Sequence, residues 1–189
     1  MEALLISFLA IAAAEIGDKT QLIALCLASR FHKPVPIILG ILCATLANHA
    51  VTGLIGQWLG SLLSGNVLHI LLALSFFAAA WWAFIPDKLD EDCTKAFSSH
   101  SIFITTAITF FVAEIGDKTQ LATATLAAQF QPLVAVIVGT TLGMMAANIP
   151  AVLCSRMIMK KIPLNIVRMV SGLFFAGLGL FEISKMLTH

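Results

Sequence analysis

Charge is what this chain has least of. Lysine, arginine, aspartate and glutamate make up 11% of its 189 residues, against about 25% in an ordinary globular domain. Apolar residues make up 59% and mean hydropathy is +0.98, so a soluble domain is excluded. The net charge of +1 gives no reason to expect nucleic acid or an acidic partner. Cys26, Cys43, Cys93 and Cys154 lack any C-x-x-C spacing, which excludes a zinc ribbon and reads as small core residues. No Ser/His/Asp set, zincin motif or Gly-rich phosphate loop is present, and the chain does not read as an enzyme. Residues 1–5, Met-Glu-Ala-Leu-Leu, carry no basic n-region and no small-residue cleavage site. The first apolar block is therefore expected to stay as a transmembrane helix, and the lack of a transit segment points to a bacterial inner (plasma) membrane.

What is present is length without charge. Six apolar blocks can be drawn, at about 3–28, 36–57, 67–86, 101–128, 133–154 and 164–187. Each is close to the roughly 20 residues that cross a hydrocarbon core about 30 Å thick. Helices satisfy their own backbone in lipid, so the expected fold is all-α with six transmembrane helices. Trp58, Trp81 and Trp82 sit near block ends, as interfacial anchors do. Arg30, Lys33, Lys88, Lys95, Arg156, Lys160 and Lys161 follow blocks one, three and five, with Arg168 at the start of block six, while the other side holds only Lys185. By the positive-inside rule those loops are cytoplasmic and both termini face outward.

The chain repeats itself. Residues 15–22 and 114–121 both read E-I-G-D-K-T-Q-L, an offset of 99, and Leu27/Leu126, Ala28/Ala127, Phe31/Phe130, Ile38/Ile137 and Gly40/Gly139 continue the match. The expected division is a first three-helix repeat over 1–86, a polar cytoplasmic linker over 87–100 and a second repeat over 101–189. Three crossings per half make the second copy enter from the opposite side, an inverted-topology repeat of the kind that builds secondary transporters.

Each motif falls inside an apolar block, where a charge at the bilayer centre costs about 2.5–3.5 kcal/mol on insertion scales. Residues so placed face one another or a watered cavity. On a continuous helix Glu15, Asp18 and Lys19 share one face; Gln21 lies close to it, and Thr20 points away unless the helix is interrupted. Gly17 permits close approach or local unwinding. The second copy offers Glu114, Asp117, Lys118, Thr119, Gln120 and Gly116. Four carboxylates against two ammonium groups leave −2, which matches one divalent cation. Carboxylate and amide oxygens suit Mn²⁺, Ca²⁺ or Mg²⁺ rather than Cu⁺ or Zn²⁺. Carboxylates that exchange a metal for protons at one place are the physical requirement for antiport. The bland alternative, two structural ion-pair networks, is disfavoured because apolar residues would stabilise the same space better.

Asn148 and His49 are further candidates for the metal shell, with Asn48 behind them; helix-packing hydrogen bonds account for them about as well. Met144 and Met145 offer thioethers, with packing the favoured role.

Carried twice in a six-block chain, E-x-G-D-K-T resembles the motif of the small cation/proton antiporter family that includes MneA-type bacterial manganese exporters, with manganese- and calcium-carrying relatives in Golgi and plastid membranes. The stretch G-x-x-x-G-M-M-x-x-N-x-P from Gly139 to Pro150 extends the resemblance. It implies that Glu15, Asp18, Glu114 and Asp117 are the functional acids, with Lys19, Thr20, Lys118 and Thr119 as motif members. The expected activity is export of Mn²⁺ from the cytoplasm in exchange for protons, with no permanent cofactor and the ion and protons as substrates. A Ca²⁺/H⁺ antiporter with the same residues is the nearest rival, and a passive cation channel a more distant one.

Overall fold

The computed structural model describes residues 1–63, 65–85, 101–153 and 164–188. The 87–100 linker, Cys93, Cys154, the basic loop after residue 154 and the side chain of Arg168 lie outside the described residues. Every described element is helical: α1 (Glu2–Glu15), α2 (Lys19–Phe31), α3 (Pro34–Leu62), α4 (Gly65–Ala83), α5 (Ile102–Glu114), α6 (Lys118–Gln129), α7 (Leu133–Leu153) and α8 (Leu164–Thr188). Four helices are long and apolar enough to cross a membrane: α3, α4, α7 and the Met169–Leu187 stretch of α8. Ile102–Glu114 is a shorter apolar helix.

The main departure from the sequence reading lies in two apolar blocks. Blocks 3–28 and 101–128 are each two half-helices, broken for three residues after Glu15 and after Glu114. Glu15, Asp18 and Lys19 therefore do not share a face of one continuous helix; the acids and the lysine flank a break. Hydropathy cannot register so short an interruption inside an apolar run.

Local chemistry sets the other ends. His32, in the left-handed region at φ 52, closes α2 with its N–H on Ala28 O at 3.1 Å. Pro34 then begins α3, at a position where a missing N–H costs nothing.

Packing crosses between the halves. The pair α1 and α2 lies against α7, while α5 and α6 lie against α3, and α4 packs on α8. Small residues let the backbones close. A Cβ added to Gly40 would meet Thr106 Cβ at 2.7 Å and Phe103 O at 2.9 Å; one added to Gly139 would meet the same atoms 99 residues away, Ser7 Cβ at 3.0 Å and Leu4 O. Two apolar clusters carry the interior. One is built around Ile11, Phe76, Leu126, Met144 and Phe175, the other around Leu27, Ile37, Ile41 and Phe110. Outward, Leu54, Trp58, Leu74, Trp81, Val112 and Leu173 are exposed, a surface that suits lipid rather than water.

Candidate cation site

Both motifs fold the same way. Ile16 is extended (φ −63, ψ 119), Gly17 has φ 80 and Asp18 is extended at the start of α2 (φ −82, ψ 168). Ile115 (φ −64, ψ 121), Gly116 (φ 75) and Asp117 (φ −90, ψ 165) repeat it. Only glycine adopts such a φ without strain. The glutamine four residues on stabilises each turn: Gln21 Oε1 accepts from Gly17 N–H at 2.8 Å and Gln120 Oε1 from Gly116 N–H at 2.7 Å. Each half-helix thus presents its aspartate at its own N-terminus, where the helix dipole favours negative charge.

The two motifs are joined by exchanged ion pairs. Lys118 Nζ donates to Asp18 Oδ1 at 2.7 Å, and Lys19 Nζ stands 3.7 Å from Asp117 Oδ1. Glu15, Asp18, Glu114, Asp117 and Lys118 are all buried, at 4% exposure or less, and Glu15 lies within electrostatic reach of the other three acids. The glutamates are held differently. Asn148 of α7 donates to Glu15 Oε1 at 3.1 Å, whereas Thr119 Oγ1 donates to Glu114 Oε2 at 3.0 Å. Gln21 joins the same helix by donating from Nε2 to Ala147 O at 3.0 Å.

Several oxygens here are buried with no hydrogen-bond partner: Glu15 Oε2, Glu114 Oε1, Asp117 Oδ2, Thr20 Oγ1 and Asn148 Oδ1. A buried acceptor left unpaired is costly, and a set of hard oxygens is what a divalent ion with oxygen preference takes. Among the described residues no three carboxylate, imidazole or thiolate groups converge closely enough to chelate an ion in this arrangement.

Of the remaining candidates, Asn148 is at the cluster. It also donates to Met144 O at 3.1 Å and contacts Met144 Sδ at 3.2 Å, which puts that thioether directly behind it. Asn48 donates to Phe111 O at 3.1 Å, on α5 one turn before Glu114, and does not bond the acid itself. His49 is buried and neither ring nitrogen has a hydrogen-bond partner. Met145 packs in the cluster around Ile41 and Phe110. Cys26 and Cys43 are in no disulfide.

One buried acid escapes the sequence reading. Glu182 of α8 is fully buried and bonded to His69 of α4, Gln129 of α6 and Lys185. The signal was available, since Glu182 is the sole acid in its apolar block.

The chain matches the sequence pattern of the divalent cation/proton antiporter GDT1 over residues 3–91 and 102–188. It is 49% identical over 176 residues to a Vibrio cholerae protein named "Putative manganese exporter", covering 92% of this chain and 87% of that one. It is 28% identical over 210 residues to GDT1-like protein 3 of Arabidopsis thaliana, covering 97% of this chain and 70% of that one. A Synechocystis relative, GDT1-like protein sll0615, is 29% identical over 186 residues, covering 88% of this chain and 89% of that one. No solved structure matches. This chain is a multi-pass membrane protein and belongs to the GDT1 family of divalent cation/proton antiporters.

Proposed function

We propose that this protein exports Mn²⁺ from the cytoplasm in exchange for protons, through a site formed by the two E-I-G-D-K-T-Q motifs. The observation that carries the reading is the exchanged pairing of Lys118 with Asp18 and Lys19 with Asp117, which makes one buried cluster from two distant segments. Manganese rather than calcium is favoured by the name of the Vibrio relative.

In this reading α1–α2 and α5–α6 are each one interrupted crossing, which brings the total to six and relates the halves as inverted three-helix repeats. Both termini face out of a bacterial inner membrane. The ammonium groups hold the aspartates while no metal is bound. An arriving ion displaces them and recruits the unpartnered oxygens of Glu15, Glu114, Asp117, Thr20 and Asn148. On the far side protons take those oxygens, the ion leaves, and the lysines return. Breaks bounded by half-helix ends are where transporters bind ions, because backbone and side chain both present charge there.

Purified protein in proteoliposomes tests this. Mn²⁺ uptake should depend on an imposed pH gradient, and Mn²⁺ addition should move protons the opposite way. Flux that ignores the proton gradient would replace the reading with a channel. Preference for Ca²⁺ under competition would replace the ion.

A further inference from the structure

Among the described residues Glu182 is the sole buried carboxylate outside the two motifs. It is the sole acid of a 25-residue, mostly apolar helix, so its position needs a reason. Its oxygens are divided between three helices. Oε2 meets His69 Nδ1 of α4 at 2.8 Å; Oε1 accepts from Gln129 Nε2 of α6 and from Lys185 Nζ of its own helix at 3.1 Å. Gln129 is the last residue of α6, the half-helix whose first residue is Lys118 of the motif. One carboxylate therefore ties the far end of a motif-bearing half-helix to the α4–α8 pair.

The other half is built from different residues at the matching positions. At the offset of 99, position 182 corresponds to Ala83, a buried alanine, and Gln129 corresponds to Arg30. The cluster thus marks one end of the molecule, the end where α4 begins, α6 stops and α8 finishes. Resting on the orientation proposed above, that end is the outer one, where protons enter.

We infer that His69 and Glu182 form a second, outward proton site whose charge state sets how firmly the far end of α6 is held. A carboxylate oxygen only accepts, so Nδ1 carries a hydrogen and Nε2 is the nitrogen left to take a proton. The His69 side chain is 25% exposed while Glu182 is fully buried, so the imidazole is the member of the pair that is open to its surroundings. Protonation turns a neutral donor into an imidazolium and the contact into an ion pair in which both partners are charged. Among the described residues the groups around it are these. Glu182 and Lys185 come from α8, and α6 contributes the neutral Gln129. The acids of α1, which also packs on α8, are Glu2, exposed in its first turn, and Glu15, bonded to Asn148. Protonation tightens the cluster, holds α6 down and closes the outer side after the metal has left; deprotonation frees α6 to open again.

The test follows the outer end of α6 directly. Cys26, Cys43, Cys93 and Cys154 are replaced by serine, and Thr125→Cys is introduced, a buried position one turn before Gln129. An impermeant maleimide is applied from outside between about pH 5.5 and 8, the range over which histidine changes charge. Rates are normalised to Gln131→Cys, which is exposed. Labelling should be at least about fivefold slower at the acid end, the factor that the attraction of two unit charges about 4 Å apart is worth even at the dielectric of water. Glu182→Gln and, separately, His69→Gln should label fast at both ends, with the pH dependence gone. A normalised rate that is flat in the parent, or equally pH-dependent in both variants, overturns the inference. Mn²⁺/proton exchange measured on the parent keeps the two readings apart: pH-gated labelling without coupled flux would sink antiport and leave this proton site standing.

Discussion

Lys118 Nζ lies 2.7 Å from Asp18 Oδ1, while its repeat counterpart Lys19 stands 3.7 Å from Asp117 Oδ1. Two identical motifs are thus held unequally. The Lys118 side chain is 5% exposed and that of Lys19 31%, while Asp18 and Asp117 are both buried, so only the second pair keeps one open partner. Removing one partner of a buried pair strands the other charge at a cost of about 3–5 kcal/mol, whereas a partly exposed pair is worth about 0–1 kcal/mol. Lys118→Met should therefore lower the unfolding temperature in detergent far more than Lys19→Met. Adding Asp18→Asn to Lys118→Met should recover most of the loss. Equal destabilisation by the two lysine substitutions would mean that the asymmetry does not persist in the folded protein.

The break in each motif depends on a glycine with positive φ. A Cβ at Gly116 would touch nothing within 4 Å, yet its φ of 75 disfavours any side chain. Gly116→Ala should cost about 1–2 kcal/mol from backbone strain alone, and Gly116→Asn distinctly less, since asparagine tolerates that region. Thermal unfolding and Mn²⁺ transport should rank glycine, asparagine, alanine in that order. If alanine behaves as wild type, the break is not the operating conformation.

Much of this site was legible in the sequence, because eight identical residues, half of them charged or amide, are too costly in two apolar blocks unless they meet each other or an ion. Asn148 was legible too, from a polar amide amid the small residues of α7. Gly17 signalled that the helix could unwind, but the bounds of the three-residue interruption, which leaves the apolar run intact, and the pairing of Lys118 with Asp18, which depends on how the halves pack, could not be read. Glu182 itself stood out as the sole acid in its apolar block, but its partners were not legible. Its partners come from α4 and α6, and its neighbour Lys185 at i+3 gives it the look of an ordinary helix-surface pair.

The four motif acids are proposed to bind both substrates, and none is replaceable by an amide in both roles. Glu15→Gln, Asp18→Asn, Glu114→Gln and Asp117→Asn should each abolish proton-coupled Mn²⁺ transport while the protein still reaches the membrane. Metal resistance in cells carrying each variant, beside its abundance in the membrane fraction, is the measurement. Near-normal resistance from any two of them would end the shared-site reading.

Competition between metal and protons gives the last prediction. Four buried carboxylates stand with two ammonium groups, one buried and one partly exposed, so a bound Mn²⁺ would balance the remaining −2. Without the ion, low dielectric penalises that charge, and protons are the substitute. In the proposed function both ligands need the same oxygens, so each proton bound removes metal affinity and each ion bound expels protons. Apparent Mn²⁺ affinity of the detergent-solubilised protein should therefore fall as pH drops from about 8 to 5.5, by up to tenfold per unit for each proton displaced. Calorimetry in buffers of different ionisation enthalpy should detect those protons on Mn²⁺ addition. The sign suits export: at an acidic outer face protons win and the ion departs, and at the less acidic cytoplasmic face the ion reloads. Affinity that is constant over this range, with no proton released, would leave the cluster no means of exchanging the two and would favour passive conduction.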